Sequence, residues 1–231
     1  MLCALGSVVV SQAGSAGPAD GRPAPLDVVI VGDSITRMHT PYLRSAVAAR
    51  GVRNVEFEAQ NGRRTAATYV ASGETAQYIR SGVSVVRELR TQGIDPRLWI
   101  VQLGANDVQA NLGCGCDLVA SADRSIGRLL DAVGPTARVA WVTTSYGAVA
   151  WQANAFNEAL RRRAAVDPRM TLVDWHAATV MHPDWFIDGL HPNATGAVAL
   201  GRLYADTVIE LLYTPPPPPP RHPPAERLGM S

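Results

Sequence analysis

Short apolar runs and helical patterns alternate along this chain, and that alternation limits the folds open to it. The runs are Asp27–Val31, Asn54–Glu58, Leu98–Leu103, Arg138–Thr143 and Met170–Asp174. Between and after them, the spacing predicts helices over Pro41–Arg50, Gln77–Gln92, Leu118–Val133, Trp151–Val166 and Thr195–Leu212. In the fourth helix Ala155, Leu160 and Ala164 fall among Arg161, Arg162 and Arg163, which gives one dry face and one charged face. In the second run Glu56 and Glu58 alternate with Val55 and Phe57, as on an edge or half-exposed strand. Strands separated by helices must cross over the sheet and return in the same direction. The expected fold class is therefore α/β, a parallel sheet with helices on both faces. With 231 residues, 47% of them hydrophobic, the chain can fill one good-sized core.

Both ends differ from the middle. Residues 1–25 carry an apolar run from Leu2 to Val10, then small residues with two A-x-A-like sites, Ser11-Gln12-Ala13 and Ser15-Ala16-Gly17. This pattern reads as a signal peptide and flexible lead-in, too short to span a bilayer. The expected location is the cell envelope or the outside of the cell. No basic residue precedes the apolar run, which leaves the cytoplasm as the alternative. Residues 214–231 hold eight of the chain's 17 prolines, six of them consecutive, and read as a disordered tail or stiff polyproline II spacer, with an interaction segment as the alternative. The expected domain is residues 26–213.

Charge excludes some partners. Twenty-one basic residues, all Arg, balance 20 acidic ones to a formal +1, so nucleic acid and acidic membrane surfaces are not expected to bind. Removing the N-terminal segment would leave Cys114 and Cys116 as an even pair, either bridged across Gly115 or free. Two thiols with no second ligand pair nearby make an incomplete metal shell.

Open parallel sheets bind ligands beyond the carboxyl ends of their strands, so the informative residues are those that follow each run. After the first run stands Gly32-Asp33-Ser34, after the second Gly62, and after the third Gly104-Ala105-Asn106-Asp107. Beyond the fifth lies Asp188-Gly189-Leu190-His191. A carboxylate three residues before a histidine on a glycine-containing turn can accept from ring Nδ1–H and leave Nε2 free to take a serine proton. Gly62 can bring a backbone N–H close to a substrate, and Asn106 can offer an uncharged amide donor. Ser34 alone could as well be a helix cap.

These four blocks, in this order, resemble those of the SGNH (GDSL-type) hydrolases, with Ile35 where that family usually has Leu. The resemblance implies a flavodoxin-like three-layer α/β/α sandwich, with a five-stranded parallel sheet in the order 2-1-3-4-5. It implies Ser34 as nucleophile, His191 as base and Asp188 as the acid that orients it. Ser34, Gly62 and Asn106 would form the oxyanion hole. It further implies a serine esterase working through an acyl-enzyme, with no metal or organic cofactor. The segment from Leu172 to Asn193 is similar to extracellular domains of peptidoglycan O-acetyltransferases. That likeness favours a small acyl ester, such as acetyl, on a cell-envelope carbohydrate. Transfer to a sugar hydroxyl and a non-catalytic envelope-binding role are the alternatives.

Other residues compete for roles. His39, His176, His182 and His222 lack the Asp-x-x-His arrangement. Asp174 and Asp184 are weaker candidates for the acid, and Asp33 and Asp107 are expected to brace their loops. Arg63 and Arg64 are expected to be a solvated pair, with an anionic substrate group as the alternative. Trp151, Trp175, Trp185 and Phe186 are expected in the core or on its rim; the last two could also wall the site.

Overall fold

The computed structural model describes residues 26–72 and 76–213. The terminal segments read above as leader and proline-rich tail lie outside the described residues. Five strands form one parallel sheet: β1 (Val28–Gly32), β2 (Val55–Ala59), β5 (Leu98–Gln102), β6 (Arg138–Val142) and β7 (Met170–Val173). Their order, β2-β1-β5-β6-β7, is the expected 2-1-3-4-5. The helices are α1 (Ser34–Ala49), α2 (Gly82–Thr91), α3 (Ala105–Ala110), α4 (Leu118–Val133), α5 (Ala150–Val166), α6 (Trp175–Thr179) and α7 (Ala194–Tyr213).

Alternation along the buried strands divides the core in two. Val28 and Ile30 point to one face, where they meet Leu43 and Val47 of α1 and Leu200, Tyr204 and Val208 of α7. Val29 and Val31 point to the other, against α2, α4 and α5 through Val86, Ile126 and Leu160. Two dry helix layers on a sheet buried on both faces make the three-layer sandwich. Among the described residues, no helix is long and apolar enough to cross a membrane.

Two expected helices are corrected. The first begins at Ser34, seven residues before Pro41, because Asp33 caps it: Asp33 Oδ1 accepts from Ile35 N at 3.0 Å. Pro41 then sits inside α1, which packing against α7 holds in place. The helix expected over Gln77–Gln92 starts only at Gly82, capped by Ser81. Gln77–Ile79 is instead strand β4, antiparallel to β3 (Tyr69–Ala71). The β-branched and aromatic side chains of Tyr69, Val70, Tyr78 and Ile79 favour the hairpin over a longer helix.

Candidate active site

The four motifs meet at the carboxyl edge of the sheet. Strand β1 ends at Gly32, where α1 folds back so tightly that a Cβ would lie 1.9 Å from Thr36 Oγ1. Ser34 therefore occupies the first turn of α1, at the positive end of the helix dipole. Its Oγ is 3.0 Å from His191 Nε2, across 157 residues of chain. His191 Nδ1 lies 2.7 Å from Asp188 Oδ2. Asp188 Oδ1 also accepts from the backbone N–H of His191 at 2.7 Å and of Leu190 at 3.0 Å. Those hydrogen bonds, the His191 amide first and then its ring, draw the Asp188 carboxyl down to about 2.

The loop carrying this pair is fixed by its neighbours. Ile187 N donates to His191 O at 2.8 Å, Asn193 N to Trp185 O at 2.8 Å, and Gly147 N to Gly189 O at 2.9 Å. Trp185 stacks on buried Trp175 at 6.2 Å, and Phe186 meets the same indole edge-on at 6.0 Å. Trp175 is thus core and its two partners are rim packing beneath the loop, whereas Trp151 is 71% exposed and packs in neither place.

Gly62 lies in a tight turn closed by Arg63 N donating to Gln60 O at 3.2 Å. Its φ of +77° is one glycine adopts readily. Among the described residues no group accepts from Gly62 N–H. Asn106 stands on α3, where its Nδ2 donates to Asp33 Oδ2 at 3.1 Å, and among the described residues nothing accepts its second amide hydrogen.

Both bracing aspartates are buried, and burial raises their pKa values: Asp33 to about 7 and Asp107 to about 6. Asp33 holds α1 and Asn106. Asp107 Oδ2 accepts from Thr65 N at 2.9 Å and Thr65 Oγ1 at 3.0 Å, which ties the third motif to the segment after the second.

The remaining candidates fall elsewhere. His39 is buried on α1 and burial lowers its pKa; its Nε2 has no partner among the described residues. Asp174 caps α6 and accepts from Thr143 Oγ1 at 2.9 Å, and Asp184 lies 3.8 Å from His182. Arg63 is not solvated. It is 1% exposed, and its guanidinium donates to the carbonyls of Gly32, Glu58 and Arg80, tying together the ends of β1 and β2. Burial lowers its pKa to about 10. Arg64 lies over the Tyr69 ring at 4.1 Å. Cys114 and Cys116 are bridged in the exposed loop before α4.

The sequence reading missed β3–β4 and its ties to the Gly62 turn. Two short runs rich in Tyr, Val and Ile around Ser-Gly could have signalled the hairpin.

The α/β/α sandwich thus holds Ser34, His191 and Asp188 in one hydrogen-bonded row at the sheet's carboxyl edge. The family model for the GDSL-like lipase/acylhydrolase family matches residues 30–199, and the chain belongs to that family. Comparison with curated protein sequences gave no significant match. Several solved structures share the fold. One is the catalytic domain of a peptidoglycan O-acetyltransferase from Streptococcus pneumoniae, with TM-score 0.61 and 16% identity over 81% of this chain and 93% of that one. TesA gives a TM-score of 0.60 and 16% identity, over 80% of this chain and 99% of its own. A carbohydrate esterase family 3 protein from Talaromyces cellulolyticus gives 0.59 and 18%, over 80% and 97%.

Proposed function

We propose that this chain is a serine esterase that removes a small acyl group, acetyl foremost, from a carbohydrate hydroxyl. The observation that carries the reading is the relay Ser34 Oγ–His191 Nε2–Asp188, at 3.0 and 2.7 Å, with Gly62 and Asn106 on the same edge. In the first step His191 Nε2 takes the Ser34 proton while Oγ attacks the ester carbonyl. The imidazolium so formed faces an Asp188 that is anionic at any working pH. The carbonyl oxygen becomes an oxyanion held by the N–H groups of Ser34 and Gly62 and by the free amide hydrogen of Asn106. His191 then gives its proton to the departing alcohol, and the ester's C–O bond breaks. A water, deprotonated by the same imidazole, releases the acyl group and restores Ser34.

Acetyl on a sugar is favoured by the likeness of the Leu172–Asn193 segment to cell-envelope acetyltransferase domains. It also agrees with what related folds are named for: a peptidoglycan O-acetyltransferase, a carbohydrate esterase and an acetyl esterase. The first of these names also supports a second reading, transfer of the acyl group to a sugar hydroxyl instead of water.

The test is fluorophosphonate labelling of wild type and Ser34→Ala, with p-nitrophenyl acetate turnover followed alongside. Labelling at Ser34 and loss of turnover in the variant are expected. Absence of labelling in folded wild-type protein would reject the enzyme and favour a saccharide-binding role that ignores the Ser34 change.

A further inference from the structure

The hairpin β3–β4 is an addition to the strand–helix alternation, and it is tied to the turn that presents Gly62. Tyr69 Oη donates to Gly62 O at 2.8 Å. Gln60, which opens the turn, donates through Nε2 to Tyr78 O at 2.9 Å and accepts through Oε1 from Arg80 N at 3.1 Å. A Cβ on Gly62 would lie 2.8 Å from the same Tyr69 hydroxyl, so the phenol also fills the space beside the glycine. Arg64 covers the other side of the ring.

These ties bear on a conformational choice. A four-residue turn with glycine in its third place can rotate its central peptide. Positive φ then becomes negative at little steric cost, because glycine accepts both. That rotation swings the Gly62 N–H away from its present direction. The observed turn has φ +77° at Gly62 and an N–H without an acceptor among the described residues, so no hydrogen bond of its own fixes that N–H. The Gln60 O bond that closes the turn is compatible with either direction of the central peptide; the Tyr69 hydroxyl instead anchors Gly62 through the peptide on its carboxyl side, and so fixes the position of the Cα beside the N–H.

We infer that Tyr69 is a positioning residue of the oxyanion hole: its hydroxyl, bonded to the Gly62 carbonyl, holds the Gly62 N–H on the developing negative charge. The hairpin is on this account part of the catalytic apparatus. The inference rests on the esterase reading, and it deepens that reading by naming what keeps one donor preorganised. Donors fixed before reaction stabilise the transition state without reorganisation, so a loosened donor costs kcat more than substrate binding.

Tyr69→Phe removes the hydroxyl and keeps the ring under Arg64. With p-nitrophenyl acetate and active sites counted by fluorophosphonate end-point, kcat should fall roughly tenfold while KM changes by less than about twofold. The pH midpoint of kcat/KM should not move, because the His191–Asp188 pair is untouched. A simple arylboronic acid, which accepts Ser34 Oγ to give a tetrahedral anion, should bind weaker by a similar factor. A merely structural tyrosine would lower the melting temperature and leave kcat per titrated site and boronate affinity at wild-type values. That result overturns the inference. Ser34→Ala run in parallel separates the two proposals. Turnover surviving in Ser34→Ala rejects the esterase reading, whereas a dead Ser34→Ala beside an unimpaired Tyr69→Phe rejects the role of Tyr69 alone.

Discussion

Asn106→Ala tests the link between the buried carboxylate of Asp33 and the oxyanion hole proposed above. The asparagine uses one amide hydrogen on Asp33 Oδ2, at 3.1 Å, and holds the other free. Removing the free donor should cost about 3–4 kcal/mol of transition-state stabilisation, or roughly 10²–10³ in kcat. The bonded hydrogen has a separate cost. Asp33 is 1% exposed and keeps only the Ile35 amide as partner, and a lost bond to a buried charged group is worth about 1.5–3 kcal/mol. For a domain of this size that lowers the melting temperature by roughly 3–12 °C. The two effects separate by pH. The Asn106 bond favours the ionised form of Asp33, whose pKa is about 7 in the folded protein, and losing the bond raises it further. The melting deficit of the variant should therefore be larger at pH 8 than at pH 5. The kcat deficit, measured per titrated site, should persist at every pH where His191 is active. The assays are p-nitrophenyl acetate turnover and thermal unfolding at the two pH values. A kcat within about threefold of wild type would refute the oxyanion role, since no single donor of that kind is worth so little. A deficit that shrinks toward pH 8 would refute the coupling to Asp33.

Two further outcomes follow from the same site. Gly32→Ala places a methyl 1.9 Å from Thr36 Oγ1, and Thr36 is buried and bonded to Gln102 Oε1 at 3.0 Å; the overpacking should cost about 3 kcal/mol and displace Ser34, read as lost melting temperature and lost fluorophosphonate labelling together. Asp33 and Asp107 both have folded pKa values raised by burial above the unfolded 3.8, so the native state holds extra protons and their contribution to stability falls as pH rises from about 4 to about 7; Asp33→Asn should gain stability relative to wild type across that window, and a relative loss in urea titrations at pH 5 and 8 would reverse the assigned sign.

Much of the fold was legible because burial on both faces of a parallel sheet leaves a plain mark. The VVIV run at Val28–Val31 and LWIV at Leu98–Val101 have nowhere to go but between two helix layers. The strand order came from the family resemblance, because β1 pairs with both β2 and β5 and apolar runs carry no record of their neighbours. The residues of the relay were legible as motifs, since each lies in a short stretch with a peculiar composition. Arg63 was not: in sequence it is one of two adjacent arginines, and only the converging carbonyl ends of β1, β2 and the Arg80 segment make it a buried tie.

The division has a physical cause. Local patterning determined the alternation of the five sheet strands with helices and which residue types carry the chemistry, because those depend on neighbours within a few positions. Tertiary structure decided what needs distant segments to meet: the 3.0 Å approach of Ser34 to His191 over 157 residues, and the hold of Asp33 on Asn106. It also set the grip of Tyr69 on Gly62, along with the raised pKa values that burial imposes on two aspartates. Desolvation and long-range hydrogen bonds are properties of the packed assembly, and no window of sequence contains them.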